Sequence, residues 1–348
     1  MRFKLILSFV LLYSCVYAQS DTFRLAFGSC ANQSHPLPIY DVVVKHKPNV
    51  FALLGDNVYA DTKDYNAMVS IYNRMAEKPT YKNLKANVPI IATWDDHDYG
   101  ENDAGKNFSA KDTSKRAFLN FIEEPESSPR WSRGGVYDSY YYTFNNKTIQ
   151  VILLDVRWFR DDLKAYDGRK KWNPRYWYYK RYAPYEIDAK QTILGDEQWI
   201  WLEEELMKPA DIRIIGSGSQ FGNSWNGYES WANFPNEQQR LFNLIQKTKA
   251  NGVLIMSGDV HYAELSKLTP KNLYPIYDLT ASGLSSTWEF ATPNKNRIEG
   301  PVMQNHFGMI TLIDKETDCD IIFEIWDVKD KRCIQKRISL SELKLENK

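Results

Sequence analysis

Residues Trp94-Asp95-Asp96-His97-Asp98 place three carboxylates and an imidazole in four consecutive positions. They follow the apolar run Val88-Pro89-Ile90-Ile91-Ala92, where a buried strand should run out. Carboxylates this crowded repel one another unless a cation sits among them, so the cluster points to a bound cation, a metal first of all. Two other strand ends carry similar chemistry, Gly55-Asp56-Asn57-Val58-Tyr59 and Gly258-Asp259-Val260-His261. Asp56 follows a glycine that permits close backbone approach, although alone it reads equally well as a turn aspartate. Tyr59, three residues on, would suit a hard ferric ion as a phenolate; a lone tyrosine is more often packing. Asp259 and His261 stand two apart, which in an extended segment sets both side chains on one face. Cys30 closes another strand end, Gly28-Ser29-Cys30. As a thiolate it would ligate iron or zinc; as a thiol it is a small apolar filler. A nucleophilic Cys30 paired with His97 or His35 is the weaker reading, because neighbouring carboxylates disfavour a thiolate that lacks a cation.

The elements that would position these groups alternate. Residues 23–28, 49–54 and 88–94 read as strands, with helices over 37–46, 65–76 and 113–122. Residues 136–144 and 148–154 read as an antiparallel pair joined at Asn145-Asn146-Lys147. A helix follows at 195–207, then strands at 212–215 and 253–256 separated by a helix over 236–249. Strands at 277–280, 308–313, 320–326 and 332–338 make the C-terminal part mostly β. This is the signature of an α/β fold. In open α/β sheets sites lie beyond the carboxyl ends of the strands. Here those ends carry Gly28 to Cys30, Gly55-Asp56, Trp94 to Asp98, Asp155, Gly216 to Gln220 and Gly258 to His261. Any one is ordinary loop chemistry; their joint occurrence points to a site. Residues 157–190, rich in Arg, Lys, Tyr and Trp without a clean period, read as a surface insertion that could act as a lid.

The 44 Lys and Arg residues balance the 44 Asp and Glu, so there is no electrostatic footprint for nucleic acid or an anionic membrane. Arg2, Lys4, the apolar run 5–12 and Val16-Tyr17-Ala18 read as a signal peptide over residues 1–18. The expectation is a protein exported to the periplasm or secreted, with no transmembrane segment. Leu12-Tyr13-Ser14-Cys15 also resembles a lipoprotein signal, which would make Cys15 a lipid anchor. Residues 19–348 show no repeat or low-complexity linker and read as one domain. Of the remaining cysteines, Cys319 and Cys333 fall far from opposite each other in a simple hairpin, which argues against a bridge.

Taken together, the motifs resemble the catalytic domain of the PhoD-like (alkaline phosphatase D) branch of the metallophosphoesterases. The matching segments are Phe27 to Cys30, Leu54 to Asp61, Thr93 to Asp103, Leu154 to Arg157, Leu194 to Trp199, Ser257 to Tyr262 and Thr280 to Leu284. The resemblance implies a four-layer α/β/β/α sandwich with mixed sheets and two metal ions, Fe(3+) and Ca(2+), at the sheets' C-terminal edge. By position, Cys30 and Tyr59 would hold iron, Asp56 would bridge, and Asp259 and His261 would complete the ligand set. Asp96 stands where the superfamily's asparagine ligand would be, with Asp95 or Asn102 as alternatives, and His97 stands where its catalytic histidine would be. Gln220 falls where the superfamily often has a metal-binding histidine. Asn102 would contact substrate; Arg157 and Arg160, just after the buried strand, could grip phosphate oxygens through forked hydrogen bonds or stand as surface arginines on the lid. The implied activity is phosphate-ester hydrolysis by a monomer acting on small esters, with two metals clamping phosphate and activating a bridging water. The alternative is a non-enzymatic exported binding protein with a structural cation.

Overall fold

The computed structural model describes residues 22–167 and 180–345. The proposed leader with Cys15, and the centre of the 157–190 insertion, lie outside the described residues. In chain order the first half contains β1 (Thr22–Gly28), α1 (Ile39–Lys45), β2 (Val50–Leu54), α2 (Tyr65–Ala76), α3 (Pro79–Asn87), β3 (Ile90–Thr93), α4 (Asp96–Tyr99), α5 (Lys111–Phe121), β4 (Asp138–Phe144) and β5 (Lys147–Leu153). The second half contains α6 (Gly195–Met207), β6 (Ile212–Ser217), α7 (Pro235–Thr248), β7 (Val253–Ser257), β8 (Ala263–Leu268), β9 (Ile276–Ala281), β10 (Arg297–Val302), β11 (His306–Asp314), β12 (Cys319–Asp327) and β13 (Arg332–Ser339).

The strands form two sheets, ordered β13-β12-β11-β1-β2-β3 and β10-β8-β9-β7-β6-β5-β4. Both are mixed. In the first, β1, β2 and β3 run parallel while β11 joins β1 antiparallel. In the second, β5, β6, β7 and β9 run parallel, flanked by antiparallel β4 and β8. The two-residue period of a strand assigns its side chains to layers. Leu25 and Phe27 of β1 and Val50, Ala52 and Leu54 of β2 enter the core shared with Val151, Ile214 and Leu254 of the second sheet. Ala26, Phe51 and Leu53 face the opposite way, onto Val43, Met68, Leu84 and Phe118 of the helices. On the outside of the second sheet, Trp199 and Leu202 of α6 and Leu241 and Ile245 of α7 close the core. The fold is therefore the α/β/β/α sandwich, and β2 is buried along its whole length because it is covered on both faces.

The sequence expectation departs from the structure where it matters most. The strand expected to reach Trp94 stops at Thr93, and Asp96–Tyr99 winds into one helical turn. Local hydrogen bonding stops the strand: the Asp95 backbone N–H donates to the Asp98 carboxylate at 3.2 Å, as in a capping box. Gly100, at φ 111°, ends the turn in the left-handed region. Three further elements were not anticipated. In α3 only Tyr81 and Leu84 are buried, too few for a periodic signal. β8 alternates buried polar Glu264 and Ser266 with Ala263 and Leu265, and β10 is largely exposed. Cys30, Cys319 and Cys333 are all free.

Candidate metal centre

Both sheets turn the C-terminal ends of their parallel strands toward one place. Cys30 follows β1, Asp56 and Tyr59 follow β2, Asp95 to His97 follow β3, Arg157 follows β5, and Asp259 and His261 follow β7. Backbone geometry there is unusual. Cys30, Asp56, Asp259 and His261 all lie in the left-handed region, at φ 59°, 46°, 76° and 59°. That conformation costs of order 1 kcal/mol for a residue with a Cβ. Its recurrence at four functional candidates shows that surrounding contacts hold them. Gly55 shows how closely the ends approach: a Cβ there would lie 2.4 Å from the Asp95 Cβ.

Donor atoms converge in overlapping groups, each with atoms within 4.8 Å of one another: Cys30, Asp56 and His261; Asp56, Asp96 and His97; and Asp95, Asp96 and Asp259. Asp56 joins the first two and Asp96 the last two. The Cys30 thiol donates to Asp56 Oδ2 at 3.3 Å. His261 Nδ1 pairs with the Ser286 carbonyl at 2.9 Å, so Nδ1 carries the proton and Nε2 is left as the donor atom for a metal. The His261 ring stacks on Trp288, centroids 5.1 Å apart. Asp259 and His261 are not brought onto one face by an extended segment, as their spacing suggested. The segment is not extended, since both residues turn through positive φ, and the two fall in different donor groups.

The electrostatics describe a deficit of positive charge. Burial, then the charges of Asp96, Asp95 and Asp98, push Asp56 well above the usual carboxylate range. Burial and the charges of Asp95, Asp96 and Glu229 do the same to Asp259. Burial raises Asp95 to about 6 although Arg157 opposes it. Asp96 is the exception. Burial works against its charge, but Arg157, His97 and the Asp103 backbone N–H, which donates to Oδ2 at 2.7 Å, hold it at about 2. Burial, reinforced by Asp56, raises the Cys30 thiol well above its ordinary value, which disfavours a free nucleophilic thiolate. Asp95 Oδ2 and the Tyr59 hydroxyl are buried without a hydrogen-bond partner of normal geometry, and burial followed by the Cys30 and Asp56 charges raises the phenol. Raised acids, a buried carboxylate oxygen without a partner and a buried phenol beside Cys30 and Asp56 form a donor set that fits bound cations.

The model of the PhoD-like phosphatase family matches residues 25–304. The chain belongs to that family. Alkaline phosphatase D of Bacillus subtilis (strain 168) is 25% identical over 293 residues, covering 70% of this chain and 46% of that relative. The chain thus spans less than half the length of that relative. A solved structure of PhoD superposes with a TM-score of 0.71 at 18% identity, over 92% of this chain and 72% of that one. GAP50, the anchor in the inner membrane complex of Plasmodium, superposes with a TM-score of 0.57 at 13% identity, over 94% and 90%. At these identities the two structures show the shared fold.

The remaining candidates of this PhoD-like chain fall in different surroundings. His97 Nδ1 pairs with Asp61 Oδ1 at 2.7 Å. Burial opposes its charge, but Asp61 and Asp96 outweigh that and raise it to about 9. Asn102 is exposed and lines a cavity with Lys63, Asp103 and Tyr182. Arg157 and Arg160 are not surface arginines on a lid. Both are buried. Arg157 bonds Asp95 through Nε and both Glu229 oxygens through Nη1, at 2.8 and 2.9 Å. Arg160 Nε lies 3.1 Å from Glu229. The Gln220 amide bonds Glu264 and Thr280 at 2.8 and 3.1 Å. Sequence reasoning missed Asp61 and Glu229. Asp61 stands in the matched Leu54 to Asp61 segment, whose end was a recoverable signal. Glu229 lies on an irregular loop with no motif around it.

Proposed function

We propose that this chain is an exported metal-dependent phosphoesterase acting, as a monomer, on small phosphate esters. The observation that carries the reading is the convergence of donors from four strand ends on two groups joined by Asp56, in a chain of the PhoD-like phosphatase family. Cys30, Tyr59, Asp56 and His261 would hold one cation, and Asp56 with Asp96 a second, Asp259 standing beside Asp96 to complete that set. Thiolate with phenolate suits Fe(3+), and an all-oxygen set suits Ca(2+). Bound there, two cations would neutralise phosphoryl oxygens and lower the pKa of a water between them.

The chain's own residues supply the rest. With Nδ1 engaged by Asp61, His97 has its Nε2 proton to give to the leaving oxygen. Arg157 and Arg160, expected to grip phosphate, are committed to Asp95 and Glu229; their role is to hold the acid cluster in place. Asn102 remains as the exposed substrate contact. A non-enzymatic binding protein is the rival, and a sandwich like that of the GAP50 anchor shows that fold alone does not exclude it. The rival gives no reason for the convergent acids and imidazoles. Purified protein should hydrolyse a generic aryl phosphodiester or monoester, lose that activity on chelation and regain it when metal is restored. No hydrolysis of either ester by metal-loaded protein would overturn the reading.

A further inference from the structure

The segment Thr280-Ala281-Ser282-Gly283-Leu284 was singled out by its sequence, yet none of its residues is a metal candidate. It leaves β9 of the second sheet and passes directly beneath the end of β1 in the first. There it ties the two sheets together. The Ser29 N–H donates to the Ala281 carbonyl at 3.2 Å and the Leu284 N–H to the Ser29 carbonyl at 3.0 Å. The N–H groups of Ser285 and Ser286 both donate to the Cys30 carbonyl at 3.2 Å.

Ser282 is buried at the centre of this seam. Its hydroxyl accepts the His261 backbone N–H at 2.9 Å and lies 3.1 Å from Cys30 Sγ. A serine hydroxyl has one proton and two lone pairs. With a lone pair taken by His261, the proton is available to the sulfur. One side chain thus joins the thiol of the first sheet to the imidazole-bearing loop of the second. Ser282 is itself held from behind. Its N–H donates to His306 Nε2 at 3.0 Å, and His306 Nδ1 pairs with the Gln304 carbonyl at 2.7 Å. That fixes His306, fully buried, as the neutral tautomer protonated on Nδ1. The His306 N–H closes the loop onto the Gly283 carbonyl at 2.9 Å. Gly283 is needed because a Cβ there would stand 2.5 Å from His306 Cε1.

We propose that Ser282, anchored by His306, is a positioning residue that sets the Cys30 and His261 donors at the separation one metal ion requires. The inference rests on the metal centre proposed above. Groups that orient metal ligands in this way are worth about 10–100-fold in metal affinity. The probe is Co(2+) added to metal-free protein, whose thiolate charge-transfer absorption reports the bond to Cys30. Ser282→Ala should weaken Co(2+) binding about 10–100-fold and diminish or shift that band. Ser282→Thr, which keeps the hydroxyl, should restore both. His306→Gln should weaken binding in the same direction but less, because it loosens Ser282 without deleting it. Metal-free Ser282→Ala loses the acceptor of the His261 N–H and should unfold at a somewhat lower temperature than the parent, while its circular dichroism at the assay temperature matches the parent's, which separates positioning from folding. Co(2+) binding and absorption unchanged in Ser282→Ala would overturn the inference. Wild-type protein that binds no Co(2+) would overturn the metal centre itself and this inference with it. Protein that binds Co(2+) but hydrolyses no ester would sink the proposed activity and leave this inference standing on the binding data.

Discussion

His97 and Asp61 form the pair whose protonation bears most directly on the proposed chemistry. Asp61 and Asp96 keep the imidazolium stable up to about 9, and cations bound nearby would bring that value down. Replacing Asp61 with Asn removes a raising influence, so the basic limb of kcat/KM should move to lower pH. The rate at neutral pH should fall about 10–100-fold. An unchanged pH profile in Asp61→Asn would show that the pair does not act in the reaction. Tyr59 offers a spectroscopic check: a violet colour that disappears in Tyr59→Phe would identify a ferric phenolate, whereas a colourless, active, zinc-only protein would exclude it. At this scale the sequence displayed donor types well, because Asp, His and Cys at strand ends are conspicuous. It could not show how donors divide into groups. Asp259 and His261 separate because both turn through positive φ, which no spacing rule contains.

Among the elements, α4 decides how the opening acid cluster is used. Asp98 faces away from the donor groups and accepts the N–H groups of Asn57, Val58 and Asp95 at 3.1, 3.3 and 3.2 Å and the Tyr72 hydroxyl at 3.1 Å. It pins the loop after β2, which carries Asp56, to the turn that carries Asp96 and His97. Asp98→Ala would orphan several buried donors at once, at about 1–3 kcal/mol for each left unsatisfied. The expected outcome is a loss of about 3 kcal/mol or more in urea unfolding of the metal-free protein, together with weakened metal retention. A loss below about 1 kcal/mol would show that water replaces these bonds. The helices α2 and α6 were legible to their ends because α2 has an apolar stripe and the Asp64 cap and α6 buries Trp199, Leu202 and Leu206 at helical spacing. α4 was not legible, because four residues carry no period and the acid cluster after the strand reads as loop. The insertion misled for a different reason. Arginine usually signals surface, and only the distant Asp95 and Glu229 explain why Arg157 is buried.

For the whole molecule, the two-sheet architecture makes the seam at β1, β9 and β11 both the site and a point of acid weakness. Burial lowers His306 from 6.5 to about 4. The folded protein therefore favours the neutral ring, while the unfolded chain takes up a proton at higher pH. Its contribution to stability is complete above about 6.5 and is lost as pH falls toward 4, up to about 3 kcal/mol. His306→Gln should flatten that part of the stability profile when urea unfolding is compared at pH 7.5 and 4.5; equal pH slopes in variant and parent would refute it. The architecture itself was legible from alternating strands and helices and from the matched motifs. What the sequence could not convey was which sheet each strand joins, since β11 returns beside β1 only through long-range pairing. In the proposed centre Asp56 would bridge two cations, and the decisive variant is Asp56→Asn, with metal content and ester hydrolysis measured on the same preparation. The variant should keep its fold by circular dichroism, lose at least one bound metal and lose hydrolysis by at least about 1,000-fold. A folded Asp56→Asn protein with wild-type metal content and activity would contradict that assignment.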